Sequence, residues 1–94
     1  MPIFVILGKL TSEGLKAMKE SPKRLKGGHK LAKDVGAELK AVYYTMGRYD
    51  YVAVVDAPSV EAAMKGLFIL GAGGLGKTET LVGLTEDEAL KLVA

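Results

Sequence analysis

The chain has 94 residues and a formal net charge of +2, and it contains no cysteine. A chain of this length forms one domain with a modest core, and its 49% hydrophobic and 26% charged residues exclude an intrinsically disordered protein. Without cysteine it has neither disulfides nor a thiol nucleophile, and no apolar run reaches the roughly 18 residues of a membrane span. We therefore expect a single domain over residues 1–94.

The composition also indicates where the protein works. Asn, Gln, Cys and Trp are all absent, and a chain that lacks heat-labile residues while keeping Lys and Glu is typical of thermophiles. The first residues indicate a strand rather than a secretory leader. We predict a cytoplasmic protein from a heat-tolerant organism.

The first third of the chain predicts a strand and then a helix in two pieces. Residues 2–9, which are apolar up to Lys9, are typical of a strand buried on both faces. Thr11-Ser12 supplies a helix N-cap, and Ser21-Pro22 interrupts the helix because proline lacks the backbone N–H that a helix interior uses. Gly36 is a natural helix end. The two predicted pieces cover residues 12–20 and 22–35.

The rest of the chain predicts a hairpin, a helix, a fourth strand and a short tail helix. A polar turn at residues 47–50 joins two β-rich runs, which indicates a β-hairpin. Ser59 and Thr85 are N-caps, and Glu88 completes a capping box with Thr85. A flexible glycine-rich loop is expected over residues 71–76. The predicted strands cover 38–46, 51–57 and 77–84, and the helix between the last two covers 60–70.

The predicted element order is β-α-β-β-α-β followed by the tail helix, which is the ferredoxin-like arrangement. Right-handed crossovers place both long helices on one face of the sheet, and the first and third strands then lie in its middle. The sequence thus predicts an α+β fold, a two-layer ferredoxin-like sandwich with a short C-terminal helix.

Alternate strand residues point to opposite faces of a sheet, and in this chain both sets are apolar. In the first strand, for example, Ile3, Val5 and Leu7 oppose Phe4 and Ile6. The other opposed sets are Val52 and Val54 against Tyr51, Ala53 and Val55, and Leu39, Ala41 and Tyr43 against Val42, Tyr44 and Met46. The helix-free face should therefore carry an apolar patch that a second copy covers. The alternative is that the tail helix folds under the sheet.

Residues 71–78 match the phosphate-loop pattern G-x-x-x-x-G-K-[ST]. A nucleotide-binding loop follows a strand and opens a helix, so that backbone N–H groups face the phosphates, and here that order is reversed. Nucleotide hydrolysis is therefore not expected. We favour a plain helix-to-strand loop, with an anion-binding nest as the alternative. The residues of that anion loop would be Gly73, Gly74, Gly76 and Lys77.

The hairpin carries most of the candidate ligand-binding residues. Its tyrosines each combine an apolar ring with a hydroxyl, which suits a pocket or an interface, and a nearby Arg and Asp could orient a polar ligand. A subunit interface, a ligand site and simple hairpin packing all fit this pattern. The single histidine is either a helix boundary residue or a ligand contact. The candidate set is Tyr43, Tyr44, Arg48, Tyr49, Asp50 and His29.

The sequence shows no cluster with metal-ligand spacing and no catalytic motif, so we expect no metal, no cofactor and no catalytic residue. Basic residues collect in the first helical region, where a solvated helix face and a nucleic-acid surface are the alternatives. No aromatic residue is interleaved with them, so we favour the solvated face. The basic residues in question are Lys23, Arg24, Lys26 and Lys30.

Three short motifs carry a family resemblance. They are Ser21-Pro22-Lys23-Arg24, Thr45-Met46-Gly47-Arg48-Tyr49-Asp50 and Lys77-Thr78-Glu79-Thr80-Leu81. In this order they make the chain resemble the GYD-domain family of small bacterial and archaeal proteins. The resemblance implies a ferredoxin-like fold with sheet faces stacked in a dimeric α/β barrel, and it implies no particular activity. The glycine density before Lys77 departs from the family pattern.

The sequence therefore predicts an oligomeric domain that binds a small ligand at or near the sheet-to-sheet contact. The alternative is a cofactor-free enzyme that acts on a small organic molecule in the barrel cavity, by analogy of fold. The expected partners are a second copy, as a homodimer or a higher oligomer, and a small molecule. Neither a membrane nor a nucleic acid is an expected partner.

Overall fold

The computed structural model describes residues 2–20, 23, 27–74 and 76–94. The strands in this part of the chain are β1 (Ile3–Leu10), β2 (Glu38–Tyr44), β3 (Tyr51–Asp56) and β4 (Gly76–Gly83). The helices are α1 (Ser12–Glu20), α2 (Gly27–Asp34), α3 (Val60–Ala72) and α4 (Glu86–Val93). The predicted β-α-β-β-α-β order with a tail helix is confirmed, and α1 and α2 form the first helical region.

The strands form one antiparallel sheet in the order β2-β3-β1-β4. The two central strands are β1 and β3, as the crossover rule predicted. The predicted helix interruption at Ser21-Pro22 lies outside the described residues, as do Arg24 and Lys26 of the basic region. None of the helices in the described ranges combines the length and apolarity that crossing a bilayer requires.

The predicted helix caps are confirmed. The Thr11 hydroxyl accepts a hydrogen bond from the Gly14 N–H at 3.1 Å, and Ser59 does the same for Ala62 at 3.1 Å. Thr85 and Glu88 form the reciprocal capping box that starts α4. At these ends, short-range side-chain chemistry fixes where each helix begins.

Helix α3 is longer than predicted, because it continues through Gly71 and Ala72 before it ends. The Gly73 N–H donates to the carbonyls of Ile69 and Leu70 at 3.3 and 3.1 Å, which closes the last turn. Gly74 then takes a left-handed φ of 72°, a conformation that glycine adopts without steric cost. The loop expected over residues 71–76 is therefore shorter than predicted, because Gly71 and Ala72 belong to α3 and Gly76 belongs to β4.

The face predicted for Leu39 is wrong. A register shift in β2 places Leu39 opposite Val55 but Ala41 opposite Val54, so Lys40 is an extra residue in a β-bulge. Leu39 therefore joins Val42 and Tyr44 on the helix side and packs against the core. The Lys40 ammonium lies 3.3 Å from Glu38 and 3.8 Å from Asp56. Those two carboxylates belong to directly opposed residues, and the lysine offsets their repulsion.

The hydrophobic core is small. Phe4, at 2% exposure, is the one large side chain in the described residues that is fully buried, and Val55 and Ala57 pack with it. The molecule measures 50 × 30 × 17 Å and has a radius of gyration of 13.9 Å, against about 12 Å for a compact domain of this length. Helix α4 has no buried residue and forms no extensive packing contact with the described elements.

The Tyr51 ring lies across β1 directly over Gly8, its cross-strand partner. A β-carbon built on Gly8 would overlap this ring, so the close approach requires glycine. The Tyr51 hydroxyl reaches Gly76 on the far side of β1. A single aromatic side chain thus connects β3, β1 and β4 on the helix side of the sheet.

We expect Gly8→Ala to lower the free energy of unfolding by about 1–3 kcal/mol, because the added methyl group must displace the Tyr51 ring. Gly83→Ala is the matched control, since its β-carbon would meet only the Ile3 carbonyl at an ordinary 3.9 Å. The control should change stability by no more than about 0.5 kcal/mol. Urea unfolding followed by circular dichroism measures both variants, and equal midpoints would contradict this account of Gly8.

Candidate functional site

One face of the sheet has no helix of the described chain packed on its centre. Helices α2 and α3 pack on the face that contains Phe4, Ile6, Ala53 and Val55. Strand alternation and register assign the apolar residues of the opposite face, here called the open sheet face. They are Ile3, Val5, Leu7, Ala41, Tyr43, Val52, Val54 and Leu81.

The open sheet face is an apolar surface that water contacts in the single chain. Tyr43 and Leu81 on its outer strands are 64% and 50% exposed, and the central residues are half-buried by their neighbours. The tail helix α4 does not pack on it, so the alternative cover considered from the sequence does not occur within this chain. An apolar surface spanning four strands is more than a monomer usually exposes.

Charged residues lie at both ends of the open sheet face. At one end, Lys40 bridges Glu38 and Asp56. At the other end, Lys9 and Lys77 are directly opposed on β1 and β4, and Glu79 follows one step along the same face. Protein–protein interfaces have this arrangement of an apolar centre within a polar rim.

The hairpin turn is held against β1 and β4 by hydrogen bonds. The Asp50 carboxylate accepts from the Leu10 N–H at 2.8 Å, and the Asp50 N–H donates to the Gly8 carbonyl at 2.8 Å. The Tyr49 hydroxyl donates to the Glu79 carboxylate on β4. Asp50 and Tyr49 therefore position the turn at the end of the sheet.

The structure distributes the predicted ligand-binding residues over four places. Tyr43 lies on the open sheet face. In the turn at the end of that face, Arg48 is exposed, and Tyr49 and Asp50 are half-buried. Tyr44 lies on the helix side, 6.2 Å from Tyr51 between ring centroids. His29 is exposed on α2. Consecutive strand residues point to opposite faces, which explains why Tyr43 and Tyr44 do not meet.

The anion loop predicted at Gly73, Gly74, Gly76 and Lys77 stays a prediction, and the backbone hydrogen bonds of its first two residues do not favour it. The Gly74 N–H donates to Gly71 at 3.0 Å, and the Gly73 N–H is already bonded within α3, so neither points outward toward an anion. The Gly74 carbonyl accepts from the Thr11 hydroxyl at 2.6 Å. This turn also lies at a helix C-terminus, where the helix dipole repels negative charge. Gly76 and Lys77 belong to β4.

A second candidate site lies between the sheet and helices α2 and α3, and the sequence reasoning missed it. It is a partly open cavity of about 200 Å³, here called the helix–sheet cavity. Its described lining is apolar except for the hydroxyls of Tyr44 and Tyr51. The sequence feature that could have indicated this cavity is the small size of the helix residues that face the sheet. Those residues are Gly28, Ala32, Ala62, Ala63 and Gly66.

The helix–sheet cavity leaves apolar surface open to solvent between the two layers. Apolar surface that a ligand removes from water contributes about 25 cal/mol per Å². An apolar ligand seated there would therefore add burial that the chain does not gain from its own side chains.

Among the residues that the structure describes, the pKa is shifted for Tyr51, Tyr49 and Glu88. Burial, with a smaller contribution from the charge on Tyr44, raises the pKa of the Tyr51 hydroxyl. The hydrogen bond to Glu79 is the main cause that raises the pKa of Tyr49. The backbone N–H of Thr85, followed by its hydroxyl, lowers the pKa of Glu88 in the α4 capping box.

The Tyr49–Glu79 hydrogen bond predicts a pH-dependent stability. Because the folded pKa of Tyr49 lies above its ordinary value of 10.0, its stabilisation is complete below pH 10.0 and is lost as the pH rises through the folded pKa. Tyr49→Phe should unfold at a lower urea concentration than the wild type at pH 7, and the difference should shrink above pH 10. Tyr43→Phe is the control. A difference that stays constant up to pH 11 would refute the assignment.

Comparison with solved structures supports the fold. The crystal structure of the Mycobacterium tuberculosis leucine response regulatory protein aligns with a TM-score of 0.57 and 14% identity over 89% of this chain. The chain spans about half of that regulator, 51% of its length. The likeness shows the fold alone, a small α+β fold of the ferredoxin-like type with a four-stranded antiparallel sheet.

Comparison of sequences gives the family. A Thermus thermophilus protein named glutamine synthetase and cystathionine beta-lyase binding protein is 34% identical over 82 residues, which cover 86% of each chain. The model of the GYD domain matches residues 4–93. The resemblance carried by the three sequence motifs is thereby confirmed, and the chain belongs to the GYD domain family.

Proposed function

We propose that this chain is a non-enzymatic binding protein that works as a homo-oligomer, with the open sheet faces of two copies stacked as in a dimeric α/β barrel. The observation that carries the proposal is the open sheet face itself. Apolar side chains from all four strands lie on it, and no helix of the described chain covers its centre.

Stacking supplies the cover that the chain lacks. Two sheets pack about 10 Å apart, and each square ångström of apolar surface removed from water contributes about 25 cal/mol. Stable interfaces bury about 800 Å² on each partner, which is within the reach of a four-stranded sheet. The core of the single chain is small, so the burial gained by association matters for its stability.

A small ligand at or near the sheet-to-sheet contact is part of the same proposal. Tyr43 offers a largely exposed aromatic ring on the open sheet face. Arg48, Tyr49 and Glu79 place a cation, a hydroxyl and a carboxylate at the end of that face. Such a set of few polar groups beside apolar surface is typical of small-molecule sites.

We also propose that the oligomer binds a metabolic enzyme. The Thermus relative is named for binding glutamine synthetase and cystathionine beta-lyase, and the identity of 34% extends over 86% of both chains. That relative and the absence of Asn, Gln and Cys also support a heat-tolerant source for this chain.

Under the alternative of a cofactor-free enzyme, the expected cavity residues are Tyr43, Tyr44, Arg48, Asp50 and His29. The Tyr49 hydroxyl beside Glu79 is a further candidate for an acid–base group. Acid–base catalysts work best when their pKa lies near the operating pH. The pKa of Tyr49 is raised further from neutrality, which keeps its hydroxyl protonated and makes it a poor base. The binding function therefore has the better support.

The oligomer is tested with two lysine substitutions on adjacent residues of β4. Leu81 is on the open sheet face, whereas Val82, which is more exposed at 63%, is on the other face. The wild type should show a mass of at least twice 9.9 kDa by light scattering at micromolar concentration. Leu81→Lys should shift the mass toward 9.9 kDa, and Val82→Lys should not. A monomeric wild type would refute the stacked arrangement.

Binding to an enzyme is tested with purified glutamine synthetase and purified cystathionine β-lyase immobilised for interferometry. We expect a saturable, salt-dependent response from at least one of them, and none from an unrelated immobilised enzyme of similar size. The measurement is made on the wild type and on Val82→Lys, which should respond alike if the open sheet face alone organises the oligomer. Failure of both enzymes to bind would reject this partner class while leaving the oligomer untouched.

A further inference from the structure

We propose that the helix–sheet cavity binds a small apolar molecule of about ten non-hydrogen atoms with one hydrogen-bonding end. The cavity lies on the face of the sheet opposite to the open sheet face. The proposal therefore concerns a site separate from the subunit contact and stands whether or not two copies stack.

Small residues on the helices create the space. A β-carbon added at Gly66 would meet Val35 only at 3.7 Å, and one added at Gly28 would meet Leu39 only at 3.8 Å. Both distances are ordinary van der Waals contacts, so there is room for a side chain on α2 at Gly28 and on α3 at Gly66. Larger side chains would fit at both positions, and the sequence instead has glycine at each.

The lining determines which chemistry fits. The sheet contributes Phe4, Ile6 and Val55, the helices contribute Leu31 and Leu67, and no charged residue is among the described residues that line the cavity. A charged ligand would lose its hydration there without gaining an ion pair. The site therefore selects neutral, apolar molecules.

The volume determines the size of the ligand. A cavity of about 150 Å³ with an apolar lining binds benzene in another protein. The helix–sheet cavity, at about 200 Å³, has room for a somewhat larger molecule. A fused two-ring aromatic or a branched compound of similar size fits this volume.

Tyr44 and Tyr51 supply the polar end of the site. Their ring centroids are 6.2 Å apart, and the Tyr51 hydroxyl lies beside Gly76, which also lines the cavity. Within the described part of the chain, neither hydroxyl forms a hydrogen bond. Because the Tyr51 ring packs over Gly8 with its hydroxyl beside Gly76, the hydroxyl already lies at the cavity for a ligand that carries an N–H or O–H group.

Indole is the probe, because the chain has no tryptophan and indole can be excited at wavelengths longer than those that tyrosine absorbs. The wild type should bind indole saturably, with a blue shift of its emission as it enters an apolar site. Gly66→Leu fills the cavity and should abolish this binding. Gly71→Leu is the matched control in the same helix, since Gly71 is exposed and does not line the cavity. The control should bind indole as the wild type does.

Gly28→Leu fills the cavity from α2 and provides a second test if Gly66→Leu does not fold. Leu81→Lys, on the open sheet face, should keep indole binding, which separates this site from a ligand at the subunit contact. The proposal is overturned if the wild type does not bind indole at millimolar concentration, if a folded cavity-filling variant still binds it, or if a Leu81→Lys variant shown by circular dichroism to be folded does not bind it.

Tyr51→Phe tests the polar end of the site. Loss of one hydrogen bond should weaken indole binding by about fivefold. Indene has the same shape and no N–H group, so its binding should not change. Equal effects of Tyr51→Phe on indole and indene would show that the hydroxyl makes no bond to the ligand and would overturn that part of the proposal.

Discussion

The structure depends on β1 being a central strand that is apolar on both faces. It pairs with β3 on one side and β4 on the other, so its side chains divide between the two faces of the sheet. Phe4 on the helix side anchors the core, and Val5 on the other side lies at the centre of the open sheet face. A chain with one helix layer can cover only one of these faces, and the proposal that a second copy covers the other rests on that constraint.

The covered face is itself incompletely filled. The helices approach the sheet with glycine and alanine at their buried positions, which leaves the helix–sheet cavity between the layers. A small core and an apolar outer face both make the isolated chain a marginal domain. The proposed second copy and the proposed apolar ligand would each stabilise the fold by mass action, because each binds the folded chain.

Patterns within one segment of the sequence predicted where the candidate site residues lie in the chain but not which residues they contact. The hairpin was identified correctly, and its turn contains the Tyr49 and Asp50 contacts that fix its position. Their roles were not predictable, because Asp50 bonds to Leu10 and Tyr49 to Glu79, residues that are 40 and 30 positions away in the chain. His29, Tyr43 and Tyr44 were grouped by chemistry, and the fold separates them.

The sequence by itself determined the order of the elements, the helix caps, the central position of β1 and β3, and membership of the GYD domain family. These follow from periodicity, from side chains that bond within four residues, and from short motifs. Only the tertiary structure decided the bulge that turns Leu39 inward, the contact of Tyr51 with Gly8, and the cavity beneath the helices. Each of these depends on the distance between segments that are remote in the chain, and residue patterns within one segment carry no measure of that distance.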